Sequence, residues 1–135
     1  MTGHEPDRIL LEGLSFHAHV GVLPLEKERG QRFRLDLVLE CGRLAAADSD
    51  RLGDTVDYAA LYDRIRQAVE PARFDLVERL AQVVAEVVLS FSDTILAVDV
   101  TVRKPEAPLP GAFESVGVRL RRCRGEQPDS GRSGS

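Results

Sequence analysis

The chain has no tryptophan, one methionine and two cysteines in 135 residues, and its aromatics are five Phe and two Tyr. So few rings offer little for bases to stack on. Net charge is −4, with 18 basic residues dispersed among 22 acidic ones. No basic stripe precedes the last predicted strand, so no nucleic-acid partner is expected. The local cluster Arg119, Arg121, Arg122 and Arg124 reads as a solvated strand end. No apolar run approaches the length of a membrane span, which argues against a membrane partner. The opening MTGHEPDR is polar and has no apolar signal region. Cys41 and Cys123 form no CxxC pair and read as small strand residues rather than redox or metal groups. Reduced thiols and a cytoplasmic location are the expectation.

The residues that are present fit one domain, with 43% apolar content. Ile9 to His17 is apolar-rich without helical caps and reads as a first strand. Gly21, Pro24 and Gly30 punctuate a polar loop. From Arg32 the pattern has period two. Phe33, Leu35, Leu37, Leu39 and Cys41 share one face, and Arg32, Arg34, Asp36 and Glu40 the other. Val38 is the apolar exception on the polar face and suits a subunit contact. Asp57 can cap a helix from Tyr58, with Leu61, Ile65, Ala68 and Val69 at helical spacing and Pro71 ending it. Asp75 can cap a second helix. Its apolar face holds Leu76, Val77, Leu80, Val83, Val84, Val87 and Val88. Ile95, Val98, Val100 and Val102 make a third strand. A proline-rich connection follows, and Val116, Val118 and Leu120 alternate into a fourth.

The order is β-β-α-α-β-β. An α+β fold follows: an antiparallel four-stranded sheet with two helices on one face. Such a sheet leaves two edges open, and a closed ring of subunits would pair them. The expected boundaries are a flexible N-terminus at 1–7, one domain at 8–123 and a disordered tail at 124–135.

Four segments occur in order, each beside a different element. They are GVLPLEKERGQRFRLDLVLE (Gly21–Glu40), DTVDY (Asp54–Tyr58), DLVERLAQ (Asp75–Gln82) and VRKPEAPLPG (Val102–Gly111). Together they resemble the dihydroneopterin aldolase family, over about Arg8 to Arg122. The resemblance implies the tunnelling fold, in which four subunits close a β-barrel and two rings stack as a homo-octamer. It also implies retro-aldol cleavage of 7,8-dihydroneopterin, a pterin of folate synthesis, to 6-hydroxymethyl-7,8-dihydropterin and glycolaldehyde. The dihydropterin ring carries a C=N bond beside the reacting carbon and can accept the electrons. No cofactor, Schiff base or metal is then required, and the protein must position the substrate and move protons.

Carried onto this chain, the resemblance makes Lys104 the proton-transfer amine, and Pro105 holds its backbone extended. Burial or a nearby cation would help that ammonium give up a proton. Tyr58 matches a phenol contributed across a subunit boundary. Glu78, in the first turn of the second helix, matches the carboxylate that pairs with the 2-amino and N3–H edge of the pterin. Val77 would add backbone groups beside it. Glu26 matches the loop acid that contacts the substrate's side chain or tunes Lys104, and Glu28 lies near enough to compete for that role. At Ala18-His19-Val20 the chain departs from the aromatic and histidine common before the first loop glycine.

Three other readings stand beside this one. An epimerase acting on dihydroneopterin or its triphosphate would use nearly the same residues, but a triphosphate would favour extra basic residues at the site mouth. A zinc enzyme of the same fold would draw on His17 and His19, which share a strand face, but needs a third ligand, and His4 lies in a polar tail. A non-catalytic pterin-binding module would keep Glu78 and the oligomer without needing Lys104.

Overall fold

The computed structural model describes residues 5–125. The first strand, β1 (Asp7–Ala18), starts two residues before the apolar run, and the Asp7 carboxylate accepts the Leu44 N–H at 2.8 Å. It pairs antiparallel with β2 (Gln31–Cys41). Glu12 and Gly13 together oppose one residue, Asp36, because the register shifts between Leu11 and Leu14. Gly13 takes φ +70 there and donates its N–H to Asp36 Oδ1 at 2.7 Å. The bulge turns Leu14, Phe16 and Ala18 to the same side as Leu11. Strict alternation from Leu11 would have sent them to the opposite side.

Between β1 and β2 the chain folds into a short helix, α1 (Pro24–Arg29), where the sequence pattern suggests a loop. Pro24 opens it, Glu26 turns back to accept the Leu23 N–H at 3.2 Å, and Gly30 closes it at φ +69. Two further short turns fall between β2 and the long helices. They are α2 (Ala46–Ser49) and a 3₁₀ turn at Leu52–Asp54, neither of which carries a buried residue.

Helix α3 (Tyr58–Val69) starts where expected, with Asp57 accepting the Ala60 N–H at 3.2 Å. Helix α4 (Val77–Phe91) starts without a side-chain cap: Leu76 occupies the N-cap position, and Asp75 is turned to Lys27 instead. Five valines lie in α4. Each β-branch costs a few tenths of a kcal/mol in a helix, against ~1.5–3 kcal/mol for burying an apolar side chain. Burial wins, and Leu80, Ala81, Val84, Ala85 and Val88 face the core. Strand β3 (Ile95–Lys104) then pairs with β2, and β4 (Val116–Cys123) pairs with β3, both antiparallel.

The sheet order is β1-β2-β3-β4, so β1 and β4 are its edges. Helix α4 packs on β3 and β4, and α3 on α4 and β1. Phe33, Leu35, Leu37, Leu39 and Cys41 of β2 are fully enclosed between the sheet and these helices. Val38 is half-buried on the outer face, beside Asp36 and Glu40. Arg124, just past β4, bonds the carbonyls of Leu89, Ser92 and Ile95 and so binds the end of α4 to the start of β3. The expectations for residues 1–4 and 126–135, and for His4 as a ligand, lie outside the described residues. No helix among the described residues is long and apolar enough to cross a membrane.

Candidate functional site

At one end of the sheet two polar residues break its apolar face. Inward-facing positions of β2 run Gln31, Phe33, Leu35, Leu37, and those of β3 run Val98, Val100, Val102, Lys104. Gln31 and Lys104 are the buried polar side chains among the described residues. They sit at neighbouring ends of adjacent strands, beside α1. The Lys104 ammonium lies 2.7 Å from Glu26 Oε2, with side-chain exposures of 11% and 9%, so the pair is almost entirely out of water. Gln31 Nε2 donates to the same oxygen at 3.0 Å. Oε1 takes the Leu23 N–H, so three donors hold both oxygens of one carboxylate.

Burial pushes the Glu26 carboxyl up, but the hydrogen bonds from Lys104, Gln31 and Leu23 and the lysine's charge outweigh it. They hold Glu26 below its usual value of 4.5. The carboxylate stays ionised at neutral pH and keeps the ammonium in place. Glycine makes the approach possible: a Cβ on Gly21 would run into the Glu26 carboxylate. At Gly30 a Cβ would strike the His17 ring and the Ala18 carbonyl. The sequence reading passed over Gln31 and the crowding at Gly21. The parity of β2 carried the signal for Gln31, a polar residue on a face otherwise apolar.

A cleft of about 230 Å³ opens beside Glu26, between α1 and the β3–β4 connection, with Leu23, Gln31, Glu106 and Pro108 on its walls. An adjoining cleft of about 450 Å³ shares Gly30, Gln31 and Glu106 and reaches Phe16 and His17. Glu28 is exposed and has no part in the buried cluster, so the lysine's acid is Glu26. Arg103, next to Lys104, points to the outer face and pairs with Asp36.

The other expected residues stand apart within one chain. Tyr58, the first residue of α3, is 66% exposed. Glu78 is exposed in the first turn of α4, and Val77 before it is half-buried against the core. Among the described residues neither Tyr58 nor Glu78 has a side-chain hydrogen bond or ion pair. His17 and His19 contact each other edge to face at 5.1 Å, and His19 Nδ1 lies 2.9 Å from the Lys27 carbonyl. No group of three or more His, Cys, Asp or Glu among the described residues could hold a metal ion.

Residues 9–121 match the family model described as dihydroneopterin aldolase. A dihydroneopterin aldolase of Streptococcus pyogenes serotype M1 is 39% identical over 118 residues, which cover 87% of this chain and 99% of that protein. The Bacillus subtilis dihydroneopterin aldolase is 36% identical over 116 residues, covering 86% and 97%. Among solved structures, E. coli dihydroneopterin aldolase in complex with neopterin superposes with a TM-score of 0.78 at 34% identity, covering 86% of this chain and 98% of that one. A Burkholderia dihydroneopterin aldolase bound to guanine gives 0.74 at 26% identity, covering 89% and 93%.

Proposed function

This chain belongs to the dihydroneopterin aldolase family and is a lyase acting on dihydroneopterin, and from that premise we propose how its own residues carry the reaction. The observation that carries the proposal is the buried Glu26–Lys104 contact beside an open cleft. A buried charged pair that served stability alone would gain little over apolar packing. This one borders solvent-accessible space large enough for part of a bicyclic ligand. Glu78 binds the 2-amino and N3–H edge of the pterin through two parallel charge-assisted hydrogen bonds, and Val77 adds backbone groups. That edge recognition agrees with the neopterin and guanine held by the two relatives.

The substrate's side-chain hydroxyl loses its proton to a water held beside Lys104, which passes it to solvent, while the Lys104 ammonium is placed to donate. The adjacent carbon–carbon bond breaks, glycolaldehyde leaves, and the bonding electrons enter the C=N of the ring. Reprotonation of the carbon left on the ring gives 6-hydroxymethyl-7,8-dihydropterin. Glu26 orients the Lys104 ammonium and the side chain, while Tyr58 of a neighbouring protomer relays the proton through water. The exposure of Tyr58 suits that shared role. The open edges β1 and β4 suit closure of a β-barrel by four subunits, two rings stacking into an octamer. The catalytic unit is residues 8–123, with Asp7 and Arg124 bonded onto its ends. The location proposed is the cytoplasm.

Incubation of the purified protein with 7,8-dihydroneopterin tests this reading. Release of glycolaldehyde with 6-hydroxymethyl-7,8-dihydropterin is expected. Accumulation of the inverted isomer alone would identify an epimerase, and binding with no turnover a pterin-binding module. Sedimentation should find a species far larger than a monomer, and an active monomer would refute the shared site.

A further inference from the structure

Glu26 rides on a helix that has little of its own to hold it. Helix α1 spans six residues and buries none of them. Isolated helices shorter than ~12 residues are marginal even in favourable sequences. Its position therefore depends on polar ties. One lies within the site, through Lys104 and Gln31. Another is in the last turn of the helix. The Lys27 carbonyl, in the last turn and without a helical partner, accepts Arg73 Nη1 at 2.8 Å and lies 2.9 Å from His19 Nδ1. The Lys27 ammonium pairs with Asp75.

Arg73 and Asp75 belong to the linker that leads into Val77 and Glu78. The linker is itself fixed. His19 N–H donates to the Ala72 carbonyl at 3.3 Å and Gly21 N–H to the Phe74 carbonyl at 3.0 Å. The Arg79 guanidinium lies 5.6 Å from the centre of the Phe74 ring. We propose that Arg73 is a positioning residue for the aldolase reaction: through the Lys27 carbonyl it locks the Glu26 helix to the linker that sets Glu78. The acid that orients the reacting end of the substrate is thereby held at a fixed separation from the acid that grips its ring. Arg73 touches neither acid, so it acts on rate through geometry. A misplacement of about 1 Å at a reacting group can cost ~100-fold.

The inference rests on the roles proposed above for Glu26 and Glu78, and the experiment separates the two failures. The full-length wild type, R73A, R73K, E26A and the R73A/E26A double variant are compared in kcat and KM for dihydroneopterin, in guanine binding and in Tm. R73A is expected to lower kcat roughly tenfold to hundredfold while guanine, which has the ring edge but no side chain, keeps its Kd. R73K, which keeps an N–H donor, should recover most of the rate. In the E26A background, R73A should cost nothing further. Three results would overturn the inference: unchanged kcat in R73A, an equal loss in the E26A background, or parallel losses of kcat, guanine affinity and Tm. Wild-type protein that releases no glycolaldehyde would overturn the proposed function and this inference with it. Wild-type cleavage with an unaffected R73A would overturn this inference alone.

Discussion

The two faces of the sheet both carry ion pairs, and they use them in opposite ways. On the outer face, Asp36 pairs with Arg103 and accepts the Gly13 N–H, while Glu40 receives Arg121 at 2.7 Å and 2.9 Å and Arg8 at 3.6 Å. Arg121 also reaches Asp99, and Arg119 donates to Thr101. Most of these partners sit on neighbouring strands, while Arg121 of β4 reaches across β3 to Glu40 of β2, and they satisfy one another in the presence of water. At the inner end of the sheet, Glu26, Lys104 and Gln31 form a smaller cluster away from water, and Gln31 Oε1 has no partner among the described residues. Exposed pairs contribute only ~0–1 kcal/mol each because water screens them. A buried pair with a spare acceptor is poor economy for folding alone, and it lies where a ligand can complete it. The difference teaches that exposure, more than charge, separates the pairs that hold register from the pair assigned to chemistry.

The largest effect that would break this contrast belongs to Lys104. Lys104→Ala should lower kcat by ~10²–10⁴ while pterin affinity is largely kept. Equal losses in both, measured by steady-state kinetics and equilibrium binding, would put Lys104 among the binding groups. Next comes Glu78→Ala, which would remove the two charge-assisted hydrogen bonds proposed for the pterin edge, each ~1.5–3 kcal/mol. Guanine affinity should fall at least ~100-fold, and calorimetry showing unchanged affinity would end the anchoring role. Gly21→Ala tests the buried cluster without removing a charge. Its methyl would displace the Glu26 carboxylate, so kcat should fall about tenfold or more with the outer face intact. Wild-type kcat would mean that the carboxylate has room to move.

The pH response sharpens the same comparison with a smaller effect. Glu26, Asp36 and Glu40 are all held below their ordinary carboxylate values. For Asp36, burial opposes the Gly13 N–H and the Arg103 guanidinium and is outweighed; for Glu40, the hydrogen bonds of Arg121 lead. A carboxylate whose folded value is depressed adds stability above its unfolded value and loses it as pH falls through the folded one. Tm should therefore hold steady down to about pH 4.5 and then decline. Salt should weaken the outer-face part of that stability and leave the Glu26 part. The smallest expected effect is Arg121→Ala, at most ~1 kcal/mol in denaturant unfolding with kcat unchanged. A large loss of activity would join the outer face to the chemistry.

The expectation for Glu26, Tyr58, Val77, Glu78 and Lys104 comes from the segments that carry the family resemblance, and the period that burial leaves in the chain marks Gln31 beside them. The alternation of β2 and β3 puts Gln31 and Lys104 on the apolar side, where a polar residue needs a partner. Local signals were less faithful. Pro24, Glu26 and Gly30 are helix-start and helix-end residues, yet Leu23 is no capping residue, so α1 reads as a loop. Asp75 is a good cap on propensity, but Lys27 competes for it across 48 positions of chain and wins. The bulge at Gly13 has only a glycine to announce it.

By itself the sequence determined the order of the main elements and the apolar faces of β2, β3 and α4. Those properties depend on spacing along the chain, at two residues or 3.6, and on residue chemistry. Only the tertiary structure decided that Glu26, rather than Glu28, meets Lys104, that Gln31 shares its oxygen, and that Arg73 holds the helix they depend on. The Lys104–Glu26 and Arg73–Lys27 contacts join residues whose separation in sequence says nothing of their distance in space, and close packing alone brings them together.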